Sequence, residues 1–404
     1  MIVYVFYAAL AGGVVGSCTK AAGWIRQPQH WAWLKQVWAE YGIELRDNGP
    51  CRRTLANGLK AIRPHVPAMA EELRQTTLEL AQMIGICVDG DDTSASPNRR
   101  NTVVADGTVP ATRIKKSTYQ KRLENPRLKK DGTPYSLPDA RKHVEGGGHE
   151  VLGEKFVLLE ARLSDERNTR VILDVRPCPS STPGGEAAVA TEAILDLRHK
   201  TKKLHSAIYD GAFHSVNIDP LVKAGMIVIS PPHKGTTKPR FLRKLTKCQC
   251  GGTHDLWTVR GALCVQEITD TGDINYTMLP ERKVTFNADV NDYRCYLSAR
   301  LPCGWLHMER LDSTRADAKT KFKRTEHLRQ HPPVTPEYKD KYGWRSDTES
   351  THSNLDRILY NNRMIVDNVI DQQTILIGHA IARNAITRTT WLVRNAGGTA
   401  AAAA

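Results

Sequence analysis

Acidic residues are in short supply: 43 Asp and Glu stand against 57 Lys and Arg among 404 residues, a formal charge of +14. A folded protein with that excess suits a polyanionic partner, because each Lys or Arg set beside a phosphate releases a condensed counterion. Nucleic acid is the first expectation and an anionic membrane surface the second. A Gly-Lys-Ser/Thr phosphate cradle is also missing, and Gly146-Gly147-Gly148-His149 lacks its lysine, which argues against an NTP-driven motor and a nucleotide cofactor. The nine cysteines are an odd number scattered along a long chain, so thiols in a reducing, cytoplasmic setting are expected rather than a disulfide framework. Cys178 has no obvious His or Asn partner, and a nucleophilic thiol is not expected there. No Lys or Arg precedes the uncharged run from Met1 to Thr19, and Gly12 and Gly13 interrupt it. Ala21, Trp24 and Ile25 carry its apolar pattern past Lys20, so neither a targeting segment nor a membrane span is expected.

What is present has globular proportions, 40% hydrophobic and 25% charged. At roughly 100–200 residues per domain the length suits two or three domains. Residues 1–90 read as helical, with apolar positions at helical spacing in Trp31 to Trp38 and Met69 to Ile84. They form either a DNA-binding domain or a small bundle packed on the rest. Residues 91–101 have linker composition. From residue 102 the texture changes: a strand at 102–109, a hairpin from 155–163 and 169–175, a helix from Pro183-Gly184-Gly185-Glu186 to Lys200, a strand at 204–209, a short helix at 219–224 and a buried strand at 226–230. This first part of an α/β core, 102–230, is followed by a basic β-rich insertion at 231–341, helices at 342–395 and a tail at 396–404.

Two stretches concentrate the basic charge. Arg113 to Lys130 holds eight Lys and Arg and one acid, and reads as a loop able to lie on phosphates through Arg113, Lys115 and Lys116. Lys234 to Lys247 holds six and no acid, with Lys238, Arg240, Arg243 and Lys244 as candidate DNA contacts.

Three acids stand out by position: Asp106 ending the first core strand, Asp210 ending the fourth, and Glu349 near the start of the helix after the insertion. If strands one and four are neighbours, the two Asp carboxylates emerge side by side, a geometry that binds divalent cations. Two hard ions about 3.5–4 Å apart can activate an attacking oxygen and stabilise a leaving one in phosphodiester cleavage. Tyr342, Arg345 and Glu349, three and four residues apart, share a helical face if the helix extends back that far. Arg345 could then hold a phosphate beside the metal-binding Glu.

These residues resemble insertion-sequence transposases of the DDE type. The resemblance covers roughly residues 100–395 and is carried by Val104-Ala105-Asp106-Gly107-Thr108, Ile208-Tyr209-Asp210-Gly211-Ala212 and Arg345-Ser346-Asp347-Thr348-Glu349-Ser350. One branch has a Tyr-x2-Arg-x3-Glu-x6-Lys pattern; Tyr342, Arg345 and Glu349 match it, while Asp356 occupies the Lys position with Arg357 beside it. The resemblance implies a ribonuclease-H-like core with a mixed sheet, interrupted by the β-rich insertion and preceded by the N-terminal helical domain. It implies that Asp106, Asp210 and Glu349 are catalytic ligands of Mg²⁺, with Mn²⁺ able to substitute, and that Tyr342, Arg345 and Arg357 face substrate phosphates. The implied reaction cuts double-stranded transposon ends and joins them to target DNA through a 3′-hydroxyl, in a homodimer on DNA. A structure-specific nuclease on the same core, and a catalytically silent regulator descended from a transposase, are the alternatives.

Cys248-x-Cys250-x3-His254 has thiolates and an imidazole at short spacing, with Cys264, Cys295, Cys303 and His307 further along. No second Cys-x2-Cys accompanies it, so unbound thiols are the simpler reading and a structural Zn²⁺ clip the alternative.

Overall fold

The computed structural model describes residues 18–40, 42–90, 96–144, 148–246, 248–289 and 292–401. The apolar run at 1–17, the linker residues 91–95, and Gly146 and Gly147 lie outside the described residues.

Four helices come first: α1 (Cys18–Ile25), α2 (Pro28–Ala39), α3 (Arg52–Ile62) and α4 (Val66–Met83). Proline lies in the opening turn of α2 and of α4, where its missing N–H is one that no helical carbonyl would have used. Leu34, Leu55, Val66, Ala70 and Leu73 join one apolar cluster with Phe156, Leu158, Ile172 and Val175 of the central sheet, so these helices pack on the core.

The central sheet is built from β1 (Thr102–Thr108), β4 (Phe156–Arg162), β5 (Arg170–Pro177), β6 (Ser206–Ile208) and β7 (Ile227–Ile229), in the order β5-β4-β1-β6-β7. Between β1 and β4 lie α5 (Lys116–Glu124) and a two-stranded ribbon of β2 (Arg141–Val144) and β3 (Glu150–Gly153). β4 runs antiparallel to both β1 and β5, whereas β6 and β7 run parallel to β1. Parallel neighbours need a crossover. The helices α6 (Gly185–Lys200) and α7 (Ser215–Lys223) occupy those connections. The sheet is covered on both faces: Phe156 and Leu158 of β4 point into the cluster shared with the N-terminal helices, while Val157, Leu159 and Ala161 point toward Ala187, Ala190 and Ile194 of α6.

The region 231–341 carries two further antiparallel sheets. One has the order β11-β10-β9-β8, from β8 (Arg240–Leu245), β9 (His254–Val259), β10 (Ala262–Ile268) and β11 (Ile274–Met278). The other has the order β12-β13-β14, from β12 (Lys283–Ala288), β13 (Tyr293–Arg300) and β14 (Leu306–Arg310). Short helices α8 (Arg315–Thr320), α9 (Arg324–His327) and α10 (Pro336–Tyr342) lead through a single 3-10 turn, Gly343–Arg345, into α11 (Ser346–Ile358) and the long α12 (Val369–Ala401). None of the described helices is long and apolar enough to cross a membrane.

The structure differs from the sequence reading in several places, among them the unexpected ribbon of β2 and β3 and the helices α8, α9 and α10 at the end of the stretch read as a β-rich insertion. The basic stretch expected as a loop contains α5, whose nine residues include no Gly or Pro but also bury no side chain, so no apolar stripe announces it. Helix α7 begins four residues earlier than expected, at a capping box in which His214 and Asn217 each accept the other's backbone N–H. The first residues of the expected tail continue α12 as far as Ala401, in keeping with the helix preference of alanine.

The packing makes a direct prediction. Leu158 is 1% exposed at the centre of β4, whereas Leu128 is 59% exposed. Leu158→Ala is expected to cost roughly 2–5 kcal/mol in urea unfolding, and Leu128→Ala within about 0.5 kcal/mol of nothing.

Candidate active site

In the parallel pair β1 and β6, Val104 lies opposite Ile208, so Asp106 and Asp210 each stand two residues beyond the same register point. Asp106 also lies across from Leu158 on β4, and so shares the face on which Leu158 packs with Leu355 and Ile358 of α11. Its Oδ1 accepts the Gly107 N–H at 3.0 Å, and Asp210 Oδ1 accepts the Ala212 N–H at 2.8 Å. The Asp106 side chain is only 9% exposed. Burial lifts its carboxyl to about 6 against the pull of Arg345, and the negative charges of Asp210 and Glu186 push the same way.

Helix α11 brings the third acid. The 3-10 turn makes α10 and α11 nearly continuous, so the spacing of Tyr342, Arg345 and Glu349 works as the helical face it suggests. Arg345 Nη1 donates to Glu349 Oε1 at 2.7 Å, and Nη2 donates to Asp106 Oδ2 at 3.0 Å. Thr348 Oγ1 adds a longer bond to the same Asp106 oxygen, at 3.4 Å. Arg345 Nε is buried and has no partner among the described residues. Tyr342 stacks on Tyr338 with ring centroids 5.2 Å apart; burial raises its hydroxyl, Arg345 opposes that, and the charges of Asp210, Asp106 and Glu349 reinforce it. Glu349 remains exposed. The structure therefore gathers Asp106, Asp210, Tyr342, Arg345 and Glu349 into one cluster. Arg357 is exposed on the same helix, about 12 Å further along its axis at 1.5 Å per residue, and is not drawn in.

Several residues around this cluster were not anticipated. Glu186, in the first turn of α6, accepts the Tyr209 hydroxyl at 2.6 Å and the Lys155 ammonium at 2.5 Å. A side chain on Gly107 would collide with the Glu186 carboxylate, so the residue after Asp106 has to be glycine for Glu186 to stay there. Asp347, buried at the start of α11, receives Arg99 at 2.7 Å, Arg162 at 2.6 Å and Arg170 at 2.9 Å. Beside it, Glu160 accepts the Thr351 hydroxyl at 2.5 Å, and burial pushes its carboxyl up to about 7 despite the nearby Arg170. In the sequence Glu186 showed only as the opening of a helix and Asp347 only as part of the run from Arg345 to Ser350, and nothing singled out Glu160.

The candidate DNA contacts divide into two sets. Arg113 pairs with Asp367 at 2.7 Å, Lys116 with Glu150, Arg243 with Glu309 at 2.9 Å, and Arg240 meets His327 at 2.8 Å with its guanidinium over the Phe322 ring. Lys115, Lys238 and Lys244 are exposed. Arg240, Arg243 and Lys244 lie on β8, the edge of its sheet, where charge also discourages pairing with another chain.

Cys248, Cys250 and His254 also come together, and Cys303 joins them: all four ligand atoms lie within 4.8 Å of one another. The Cys250 thiol is held below the usual range, first by its hydrogen bond with Cys248 and then by His254. Cys264, Cys295 and His307 lie elsewhere; Cys295 meets Gln330 and His307 meets Glu309.

No known family model and no curated protein matches the chain in sequence. Among solved structures, a cryo-EM structure of a piggyBac transposase synaptic complex with hairpin DNA is similar at 10% identity. The match has a TM-score of 0.28 and covers 73% of this chain and 48% of that one, so this chain spans less than half of that chain's length.

Two predictions come from the charges under α11. Asp347→Ala leaves three arginines without their shared carboxylate and is expected to destabilise the fold by about 3–5 kcal/mol in urea unfolding. Glu160, with a folded-state carboxyl raised from its ordinary 4.5 to about 7, contributes most below pH 4.5 and progressively less as pH rises to 7, because only the unfolded chain releases that proton freely. Glu160→Gln is therefore expected to raise stability by roughly 1–3 kcal/mol at pH 8 and to change it little at pH 4.5.

Proposed function

We propose that this chain is a DDE-type DNA transposase that cuts the ends of an insertion element and joins them to target DNA. The observation that carries the reading is the convergence of Asp106, Asp210 and Glu349, two acids from the ends of adjacent parallel strands and one from a helix docked over them, with Arg345 linking two of the three. A ribonuclease-H-like core is supported by a five-stranded sheet in which an antiparallel trio is extended by two parallel strands through helical crossovers. The proposed organisation keeps 1–90 as the DNA-binding domain, 102–230 with 342–395 as the catalytic core, and 231–341 as the insertion between them.

The site's donors are carboxylate oxygens, the ligands that hard divalent cations prefer, and Asp106, Asp210 and Glu349 would hold Mg²⁺ or Mn²⁺. Bound there, such ions lower the pKa of the attacking water or 3′-hydroxyl and offset charge on the leaving oxygen. Asp106 supplies a buried carboxylate fixed by the Gly107 N–H and Thr348, so its position is set before any ligand arrives. Arg345 presents a planar fork of donors beside the acids, suited to a phosphate oxygen of the scissile strand. Tyr342, braced on Tyr338, stands beside the same acids. Among the candidate contacts, Lys115, Lys238 and Lys244 are exposed and have no ion pair among the described residues, so they could meet a phosphate backbone without first breaking one. Because two ends have to meet, the acting form is proposed to be a homodimer on double-stranded DNA, in the cytoplasm.

The test is Mg²⁺-dependent cleavage of DNA carrying the sequences that flank the gene, followed by joining of pre-cut ends to a plasmid. Wild-type protein should do both. Asp106→Asn, Asp210→Asn and Glu349→Gln should each reduce cleavage to background while DNA affinity is retained. Cleavage without joining would mean a nuclease. Binding without cleavage in either Mg²⁺ or Mn²⁺ would mean a silent regulator.

A further inference from the structure

Four side chains from two separate sheets close on one point in the insertion. Cys248 and Cys250 lie in the connection between β8 and β9, His254 is the first residue of β9, and Cys303 lies in the turn between β13 and β14. The first three belong to the four-stranded sheet and the fourth to the three-stranded one. Cys250 Sγ is 3.2 Å from Cys248 Sγ and 3.5 Å from His254 Nε2, and Cys248 Sγ is 3.5 Å from Cys303 Sγ. A tetrahedral zinc with Zn–S near 2.3 Å and Zn–N near 2.0–2.1 Å sets its ligand atoms about 3.5–3.8 Å apart; the Cys250–His254 and Cys248–Cys303 separations fall within about 0.3 Å of that, and the Cys248–Cys250 pair is about 0.5 Å closer. A disulfide would need two sulfurs at about 2.05 Å, and all three of these approaches are wider than that.

We propose that Cys248, Cys250, His254 and Cys303 bind one structural Zn²⁺ that fastens the two sheets of the insertion together. The backbone supports this: Gly251 takes φ +74°, which lets the chain double back between the cysteines and the histidine, and the Gly252 N–H donates to Cys250 Sγ at 3.3 Å, the kind of outer bond that steadies a metal-bound thiolate. Cys248 is buried, His254 half-buried, and Cys250 and Cys303 are exposed, so the ion enters from the surface and is held against the interior. Three thiolates and an imidazole fill all four positions, which marks a closed structural centre with no place for a substrate or a reacting water. The two sheets share one apolar cluster through Leu256, Leu263 and Val265 on one side and Val284, Leu297 and Leu301 on the other, and Leu306 and Met308 beyond the Cys303 turn are exposed, so the metal would add a fixed link at the margin of that packing. The proposal is independent of how the carboxylate cluster is read.

The full-length protein, purified under reducing conditions with Zn²⁺ in the growth medium, is expected to contain about one zinc per chain by elemental mass spectrometry. Cys303→Ser and Cys250→Ser should each lose most of it, and Cys51→Ser, an exposed cysteine outside the cluster, should keep it. Replacing zinc by Co²⁺ should give the intense visible bands of tetrahedral thiolate coordination. A strong chelator should lower the melting temperature of the wild type by several degrees, a readout that needs no variant to fold. Wild-type protein that holds no zinc and gives no tetrahedral Co²⁺ spectrum would overturn the proposal, as would full zinc content in folded Cys303→Ser.

Discussion

Parallel pairing of β1 with β6 is the constraint from which the candidate site follows. Antiparallel neighbours would send the ends of the two strands to opposite edges of the sheet and place Asp106 and Asp210 a strand length apart. Parallel neighbours in the register Val104 to Ile208 release both aspartates at one edge and at one depth. The pairing depends in turn on a helical crossover, because two strands running the same way cannot be joined by a tight turn. Helix α6, buried through Ala187, Ala190 and Ile194, therefore serves the chemistry as well as the core, and its first turn supplies Glu186 beside Asp106.

Two acids so close repel one another, and the fold handles this by docking a helix that carries its own charge pattern. Within a single turn, α11 and the residue before it present Arg345 toward Asp106 and Glu349, while Asp347 turns toward Arg99, Arg162 and Arg170. The arginine side relieves the acids, and the aspartate side pins the helix to the strand ends. Burial makes the pinning firm: Asp347 is 4% exposed, and a carboxylate there without its arginines would face the full cost of desolvation.

The central sheet was largely legible because its strands are short apolar runs separated by turn residues, and the amphipathic α6 falls between two of them. The spacing from Tyr342 to Glu349 was legible for the same reason, since periodicity survives a single 3-10 turn. Helix α5 was not, because it buries nothing and leaves no apolar stripe to read. The ion pairs of Asp347 join it to residues 177 to 248 positions away, and nothing local marks such partners. Cys303 was visible only as one of several later cysteines; its meeting with Cys248 is made by the folding of two sheets, and spacing along the chain says nothing of it. Glu186 looked like an ordinary acid at a helix start, a position that the helix dipole favours on its own.

The insertion has a consequence for the order of events during synthesis. It separates β7 from α11, and the chain fastens it back onto the sheet through Gln330, whose side chain accepts the Val228 N–H and donates to the Met226 carbonyl as a neighbouring strand would. The N-terminal helices and all five central strands leave the ribosome before Arg345 and Glu349 are made. Until then the aspartate pair stands without its arginine and without its third acid. Assembly of the acidic centre is thus deferred until the insertion and α11 have been made, so a nascent product truncated before them carries the sheet but not the means to act through it.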